Sequence, residues 1–397
     1  MKKVLFTGMR LIDGSGKPPV ENASILVENG FIKKAGALRR GEDDATVIDL
    51  AGKTVIPGLI DCHVHSMLDA TTGCVQNAAS RTDAENTIES VNNLRELLSD
   101  GVVFFREMGG KNSLDITLRD AVRDERLDGP DFFACGSIIS MTGGHCHTIA
   151  RETDGAEDVI KAVREQIKKG ADTIKFMASG GIHTPGNRLE SAQLTLDELT
   201  AGVCEAHRHG RIAAAHALTP AGIKNAVFAG VDSLEHGCML DEYVIEEMLK
   251  KGIYLVPTLF AVKVIAEASE SGGFTQSMLE KAKKCAEHHE NSFKLALKSG
   301  VKIAFGTDRG TSLNDHGKGS RELALITKYG MTPMEAIVSA TKTASELLDI
   351  SETHGTLEIE KYADFIVLDG NPLENTDAFT EIKTVYKKGV KIYAGNH

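Results

Sequence analysis

From residue 58 onward the chain repeats one alternation, a short apolar run followed by a longer stretch with helical spacing. The apolar runs are 59–64, Val102-Val103-Phe104-Phe105, Phe132-Phe133-Ala134-Cys135, Thr173-Ile174-Lys175-Phe176-Met177, Ile212-Ala213-Ala214-Ala215-His216, Ser233-Leu234-Glu235-His236, Ile253-Tyr254-Leu255-Val256 and Lys302-Ile303-Ala304-Phe305-Gly306. Helical stretches fall at 85–99, 157–169, 195–209, 219–229, 241–251 and 277–299. Gly101, Gly170, Gly210, Gly230, Gly252 and Gly300 stand where helix C-caps belong. Eight such units are the number that closes a (β/α)8 TIM barrel, an α/β fold. A doubly wound open sheet usually has fewer units and a nucleotide-binding glycine loop, and no such loop is found.

Both flanks have strand texture. Val4-Leu5-Phe6, 24–28, 30–34 and 46–50 are short apolar or alternating runs divided by turn signals, with Asn29-Gly30 a hairpin signal between two of them. After a last helix near 333–348, the runs 362–370 and 383–393 read as strands again. The simplest assembly joins residues 1–57 and 356–397 into one small β-sandwich-like domain, with the barrel, 58–355, inserted between its halves.

Composition narrows the function. A net charge of -11 and the absence of a basic run argue against a nucleic-acid partner, since phosphate binding needs a basic stripe. The first residues turn polar too soon for a secretory signal, and no apolar run approaches a membrane span, so no membrane partner is expected. Seven scattered Cys without a Cys-x-x-Cys pair suit reduced thiols in a cytoplasmic protein.

The chemistry is concentrated at strand ends. Side chains two apart on a strand share a face, so His63 and His65 of Asp61-Cys62-His63-Val64-His65 project together. Cys62 faces the other way and reads as core. If the barrel forms, function belongs at the C-terminal ends of its strands. Lys175 lies on the fourth strand, His216 ends the fifth, His236 ends the sixth, and Asp308 follows the eighth. Imidazole and carboxylate are normal ligands of a divalent metal such as zinc. Lys175, flanked by Ile174 and Phe176, is open to two readings. Desolvation can free its amine to react with carbon dioxide, giving a carbamate that bridges two metals. Alternatively it snorkels or pairs with an acid at the barrel end.

This set resembles the amidohydrolase superfamily of metal-dependent hydrolases. Val55-Ile56-Pro57-Gly58-Leu59-Ile60-Asp61, Met141-Thr142-Gly143-Gly144-His145, Ala178-Ser179-Gly180-Gly181, Ala215-His216-Ala217, Leu234-Glu235-His236-Gly237, Val256-Pro257-Thr258-Leu259 and Phe305-Gly306-Thr307-Asp308 look like its prolidase and imidazolonepropionase-related branch. The resemblance implies two divalent ions per subunit, of the zinc type. His63, His65 and Asp308 would hold one, His216 and His236 the other, with Lys175 as bridging N6-carboxylysine. It makes Asp308 the proton carrier and gives His145 the substrate or its oxyanion. Glu107 would orient the histidines. It also implies a homo-oligomer.

Leu218 stands where peptidases of that branch carry a tyrosine, which points to a less polar acyl or amine group. His147, His183 and His316 fall in loops at the expected barrel mouth, as do Arg188 and Arg321, which could meet a substrate carboxylate. His207 and His209 read as helix-end residues, and His288 and His289 as solvated residues on a polar helix. The expected activity is hydrolysis of the C–N bond of a small molecule, a dipeptide or N-acyl amino acid. One alternative is a mononuclear cyclic-amide hydrolase of the imidazolonepropionase type. Another, from a different class, is a barrel scaffold without catalysis.

Overall fold

The runs at the two chain ends meet in one sheet. The structure, a computed structural model, describes residues 3–37, 44–380 and 382–394. Parts of the expected terminal domain, 1–2, 38–43, 381 and 395–397, lie outside the described residues. The chain divides into two units, Met1–Asp61 with Arg95–Phe104 and Gly317–His397, and Cys62–Leu94 with Phe105–His316.

The first unit carries a sheet whose strands run in the order Val390–Ala394, Ile382–Lys387, Phe365–Leu368, Thr54–Pro57, Lys3–Leu11, Val20–Glu28 and Phe31–Gly36. Thr46–Asp49 also pairs with Lys3–Leu11. The two chain ends join where Ile366 pairs antiparallel with Ile56. Phe6, Phe365 and Tyr386 cluster at ring-centroid separations of 5.0 and 4.7 Å, and this aromatic group anchors the unit's core. Asn29 (φ 53°) and Gly30 (φ 85°) form the tight turn expected between two strands, because a two-residue hairpin needs left-handed backbone at both positions. The expected helix near 333–348 forms as one continuous run, Pro333–Val338 and Ala344–Leu347 joined through a π-helical turn at Ser339–Thr343.

The second unit is built on parallel strands. One sheet runs in the order Arg151–Thr153, Ile139–Met141, Thr173–Met177, Ile212–Ala217, Ser233–His236 and Tyr254–Val256. Leu59–Val64, Val102–Glu107 and Asp131–Phe133 form a separate run of three, the first two strands beginning in residues of the first unit. Backbone hydrogen bonds connect these pieces. Ala304 donates to Leu255 at 2.9 Å, Cys62 to Phe305 at 2.9 Å, and Asp172 to Ala134 at 2.8 Å. The run 302–306 is therefore reduced to a bridge at Ile303, with a second at Arg309. Gly306 packs too closely for a side chain, since a Cβ there would stand 2.3 Å from Val256 and 3.1 Å from His63.

Helices follow the strands within a residue or two of their expected limits, as at Ala156–Lys169, Pro220–Ala229 and Gln276–Ser299. Their apolar faces are buried, for example Val159, Ala162 and Val163 in the first. Helix Leu259–Ala266 has no sequence signal, because its Leu-Phe-Ala-Val-Lys-Val-Ile-Ala run lacks a polar face. No described helix is long and apolar enough to cross a membrane.

Candidate metal centre

Strand Leu59–Val64 delivers His63 and turns the following residue, His65, the same way. Both rings reach one carboxylate, with each Nε2 3.4 Å from Asp308 Oδ1. One donor atom from each of the three residues lies within 4.8 Å of the other two, and all three are buried. His216 and His236 end neighbouring strands, and His216 Nδ1 stands 2.8 Å from His236 Nε2. The ring of His236 is 5.1 Å from that of His63 and the ring of His145 is 4.6 Å from that of His216. All of these residues and Lys175 line one cavity.

Outward contacts set which nitrogen of each ring points in. His63 Nδ1 is 2.7 Å from Glu235 Oε2, and His65 Nδ1 is 3.3 Å from the Gly109 carbonyl. An ionised carboxylate and a carbonyl only accept, so Nδ1 donates in both rings and Nε2 keeps its lone pair facing Asp308. His236 Nδ1 bonds Thr258 Oγ1 at 2.6 Å. Glu235 is itself held by Arg106 Nη2 at 2.9 Å and Ser233 Oγ at 2.5 Å, and Arg106 also donates to the Cys62 carbonyl at 2.8 Å. Glu235 and Arg106 are completely buried.

His236 (φ 68°), Thr258 (φ 48°) and Asp308 (φ 60°) occupy left-handed backbone that side chains rarely adopt. Such strain persists where the surroundings over-determine it, and it collects at functional sites.

Burial lowers the basicity of His63, His145, His216 and His236 well below that of a free imidazole. Neutral rings are the form that binds metal. Burial brings the Lys175 amine down to about 8, which leaves roughly a tenth of it unprotonated at pH 7. Burial alone would raise Asp308, but His63 and His65 more than offset it, and the carboxyl stays below its usual range. Glu107 is pushed up to about 7 by burial. Its Oε2 accepts from Ser66 N–H at 2.9 Å, while Oε1 is buried without a hydrogen-bond partner and lies 3.9 Å from His65 Nδ1. Three converging oxygen and nitrogen donors and a facing imidazole pair fit a divalent cation.

His145 is buried, its Nδ1 2.8 Å from Thr184 Oγ1, and it packs where a Cβ on Gly181 would stand 2.2 Å from Nε2. Of the other candidates for substrate contact, His183 and Leu218 line the cavity. His147, Arg188 and Arg321 are not among its lining residues. Arg188 is exposed and Arg321 belongs to the other unit. His316 is buried, and its Nε2 bonds the His65 carbonyl at 3.1 Å. His289 is not solvated, contrary to expectation, for its Nε2 bonds the His236 carbonyl at 3.0 Å. It shares the buried face of its helix with Cys285, Phe293 and Ala296, a three-to-four-residue spacing that was available in the sequence. Glu235 and Thr258, which hold two of the rings, carry no local sequence signal of these contacts.

The amidohydrolase family profile matches residues 54–392. The ochratoxinase of Aspergillus niger is 31% identical over 435 residues, spanning 99% of this chain and 86% of its own. The imidazolonepropionase of Brevibacillus brevis is 26% identical, covering 94% of this chain and 91% of that protein. A solved structure of a Xaa-Pro dipeptidase with methionine bound in its active site superposes with a TM-score of 0.93 at 32% identity, over 99% of this chain and 100% of that one. This chain belongs to the amidohydrolase family and is a hydrolytic enzyme acting on amide bonds.

Proposed function

We propose that the enzyme is a binuclear metal-dependent hydrolase that cleaves the C–N bond of a dipeptide or an N-acyl amino acid. The observation that carries this reading is the convergence of His63, His65 and Asp308 within 4.8 Å, in the cavity that also holds His216, His236 and Lys175. His63, His65 and Asp308 would hold one divalent ion, zinc by the nature of the donors, and His216 and His236 the second, with carboxylated Lys175 bridging. The scaffold would be a closed (β/α)8 barrel over 58–355, carried by a β-domain of the two chain ends. Support for closure comes from the hydrogen bonds that lead from Tyr254–Val256 through Ala304 and Phe305 to Cys62, and from Ala134 to Asp172.

When bound, such ions make hydroxide available from water near neutral pH and polarise the scissile carbonyl. The chain's own residues do the rest. Asp308, whose carboxyl stays below its usual range, accepts the proton of the attacking water and passes it to the leaving nitrogen. His145, buried and oriented by Thr184, serves the developing oxyanion or the substrate. Glu235 keeps the Nδ1 proton of His63 in place, so its other nitrogen remains a donor to metal. The likeness to a Xaa-Pro dipeptidase supports a peptide-like substrate. All seven cysteines are free thiols, which suits a cytoplasmic, reducing location.

The test is turnover of a mixed set of dipeptides, N-acyl amino acids and cyclic amides by the zinc-loaded protein, with metal counted per chain. Cleavage of the linear amides with two metals bound is expected. Full activity with one tightly bound metal would sink the binuclear scheme, and exclusive cleavage of cyclic amides would shift the reading to the imidazolonepropionase type.

A further inference from the structure

The loop between the bridge residues Ser179 and Ala192 carries no helix or strand over 181–190. It nevertheless sets one side of the cavity. Ile182 and His183 line that side. Thr184 Oγ1 stands 2.8 Å from His145 Nδ1 and accepts from the Cys146 N–H at 3.0 Å. Gly181 packs on the same ring, so closely that a Cβ there would meet it. Just past the loop, Gln193 Oε1 accepts from the His145 N–H at 2.8 Å, and Gln193 Nε2 donates to Asn187 Oδ1 at 2.8 Å. His145 is thus held, at ring and backbone, by a segment with no regular structure of its own.

What fixes that segment comes from helix Gln276–Ser299. Ile182 and Leu189 of the loop share one apolar cluster with Met278, Leu279, Ala282 and Cys285 of the helix. Apolar packing is non-directional and does not by itself set the path of a backbone. Lys281, on the same helix and half-buried, supplies direction. Its ammonium donates to the Thr184 carbonyl at 3.0 Å and to the Gly181 carbonyl at 3.3 Å. These are the two loop residues that meet the His145 ring. Hydrogen bonds from an ionised donor are roughly twice as strong as neutral ones. Lys284, three residues further along the helix, pairs with Glu190 near the other end of the loop.

We propose that Lys281 is a positioning residue for the reaction, which keeps His145 turned into the cavity by holding the Gly181 and Thr184 carbonyls. Lys281 itself is not among the residues that line the cavity. The proposal rests on the reading above in which His145 serves the substrate or its oxyanion. Release of the two carbonyls lets the loop shift, and a displacement of about 1 Å at a reacting group costs on the order of a hundredfold in rate.

The experiment uses the zinc-loaded full chain and two readouts. The first is kcat/KM with N-acetylleucine, or with whichever linear amide of the mixed set is cleaved fastest. Lys281→Met keeps the hydrocarbon stem, removes the donors and lowers kcat/KM by about ten- to a hundredfold. Lys281→Arg, which can donate to both carbonyls, stays near the wild-type value. In a His145→Ala background Lys281→Met causes no further loss, because the contact acts through that ring. Lys294→Met, which removes an exposed pair with Glu290 on the same helix, leaves turnover unchanged. The second readout is amide hydrogen exchange, which becomes faster over 144–147 and 180–191 in Lys281→Met and stays as it was in the helix itself. Should Lys281→Met not fold, Lys281→Gln, whose amide nitrogen is one bond nearer the backbone than the ammonium, takes its place. Unchanged kcat/KM in Lys281→Met overturns the proposal, as does an equal further loss in the His145→Ala background. A loss in Lys281→Arg as large as in Lys281→Met overturns it too, and so does unchanged exchange in both segments. A wild-type protein that cleaves no member of the mixed set overturns the amide-hydrolase reading instead, and exchange alone then decides whether Lys281 holds the loop.

Discussion

Glu235 offers the sharpest test of how the centre is held. Its two carboxylate oxygens divide their work, Oε2 facing His63 Nδ1 at 2.7 Å and Oε1 accepting from Arg106 at 2.9 Å and Ser233 at 2.5 Å. Glu235→Gln keeps the shape and removes the charge. Arg106 is then a fully buried guanidinium left with the Cys62 carbonyl and the Ser233 hydroxyl. Breaking a buried pair in this way costs about 3–5 kcal/mol. At roughly 2–4 °C per kcal/mol for a unit of this size, Tm should fall by on the order of 10 °C. His63 also loses the charged acceptor that raises its basicity, which should weaken metal binding roughly tenfold to a hundredfold. The two effects separate in the double variant Arg106→Met/Glu235→Gln. Removing both charges should recover most of the Tm, because an apolar replacement of a buried ion pair is often neutral, while the metal affinity stays low. Tm by calorimetry and metal Kd by chelator competition read the two quantities independently. A Glu235→Gln protein with unchanged Tm and unchanged metal Kd would refute the reasoning, and a double variant that regains metal affinity would show that charge burial alone was responsible.

Asp308→Asn should leave the fold intact by circular dichroism and reduce kcat by at least about a hundredfold, since the amide cannot carry the proton; unchanged turnover would remove Asp308 from the proton path. Lys175→Met should bind fewer metal ions per chain, and wild-type protein purified without carbon dioxide should do the same until bicarbonate is added; full metal content in both would argue against the carbamate. Acid should destabilise the metal-free protein in a defined window. Burial holds His289 and His316 down to about 4, against an ordinary value near 6.5 in the unfolded chain. Between those values the unfolded state binds more protons, so the stability each contributes is whole above pH 6.5 and lost as pH falls toward 4, on the order of 3 kcal/mol apiece. Urea midpoints measured across that range should fall with pH, and less steeply in His289→Gln; parallel curves would show that His289 does not report the transition.

Much of this was legible in residue order because it follows from local periodicity. A two-residue repeat on a strand puts His63 and His65 on one face whatever else the chain does, and Asn29-Gly30 makes its turn from backbone preference alone. Glycine after a helix, as at Gly170 with φ 104°, marks where the next strand begins, and the strand ends then point to His216, His236 and Asp308. Tertiary structure decided the partners. Glu235 lies 172 residues from His63, and no local pattern announces that its carboxylate will orient that ring. Burial of His289 depends on which helix face meets the core, and an all-apolar helix such as Leu259–Ala266 carries no period to read. Arg188 and Arg321 suit a substrate carboxylate by their expected loop positions, yet neither lines the cavity: Arg188 is exposed and Arg321 lies on helix Ser320–Lys328 of the other unit. The sequence by itself determined which chemical groups stand at the ends of the strands, since spacing along one strand is a local property. Only the fold decided which of them meet, how dry they are, and that Leu218 faces the cavity as part of an apolar wall, because those outcomes depend on contacts between residues far apart in the chain.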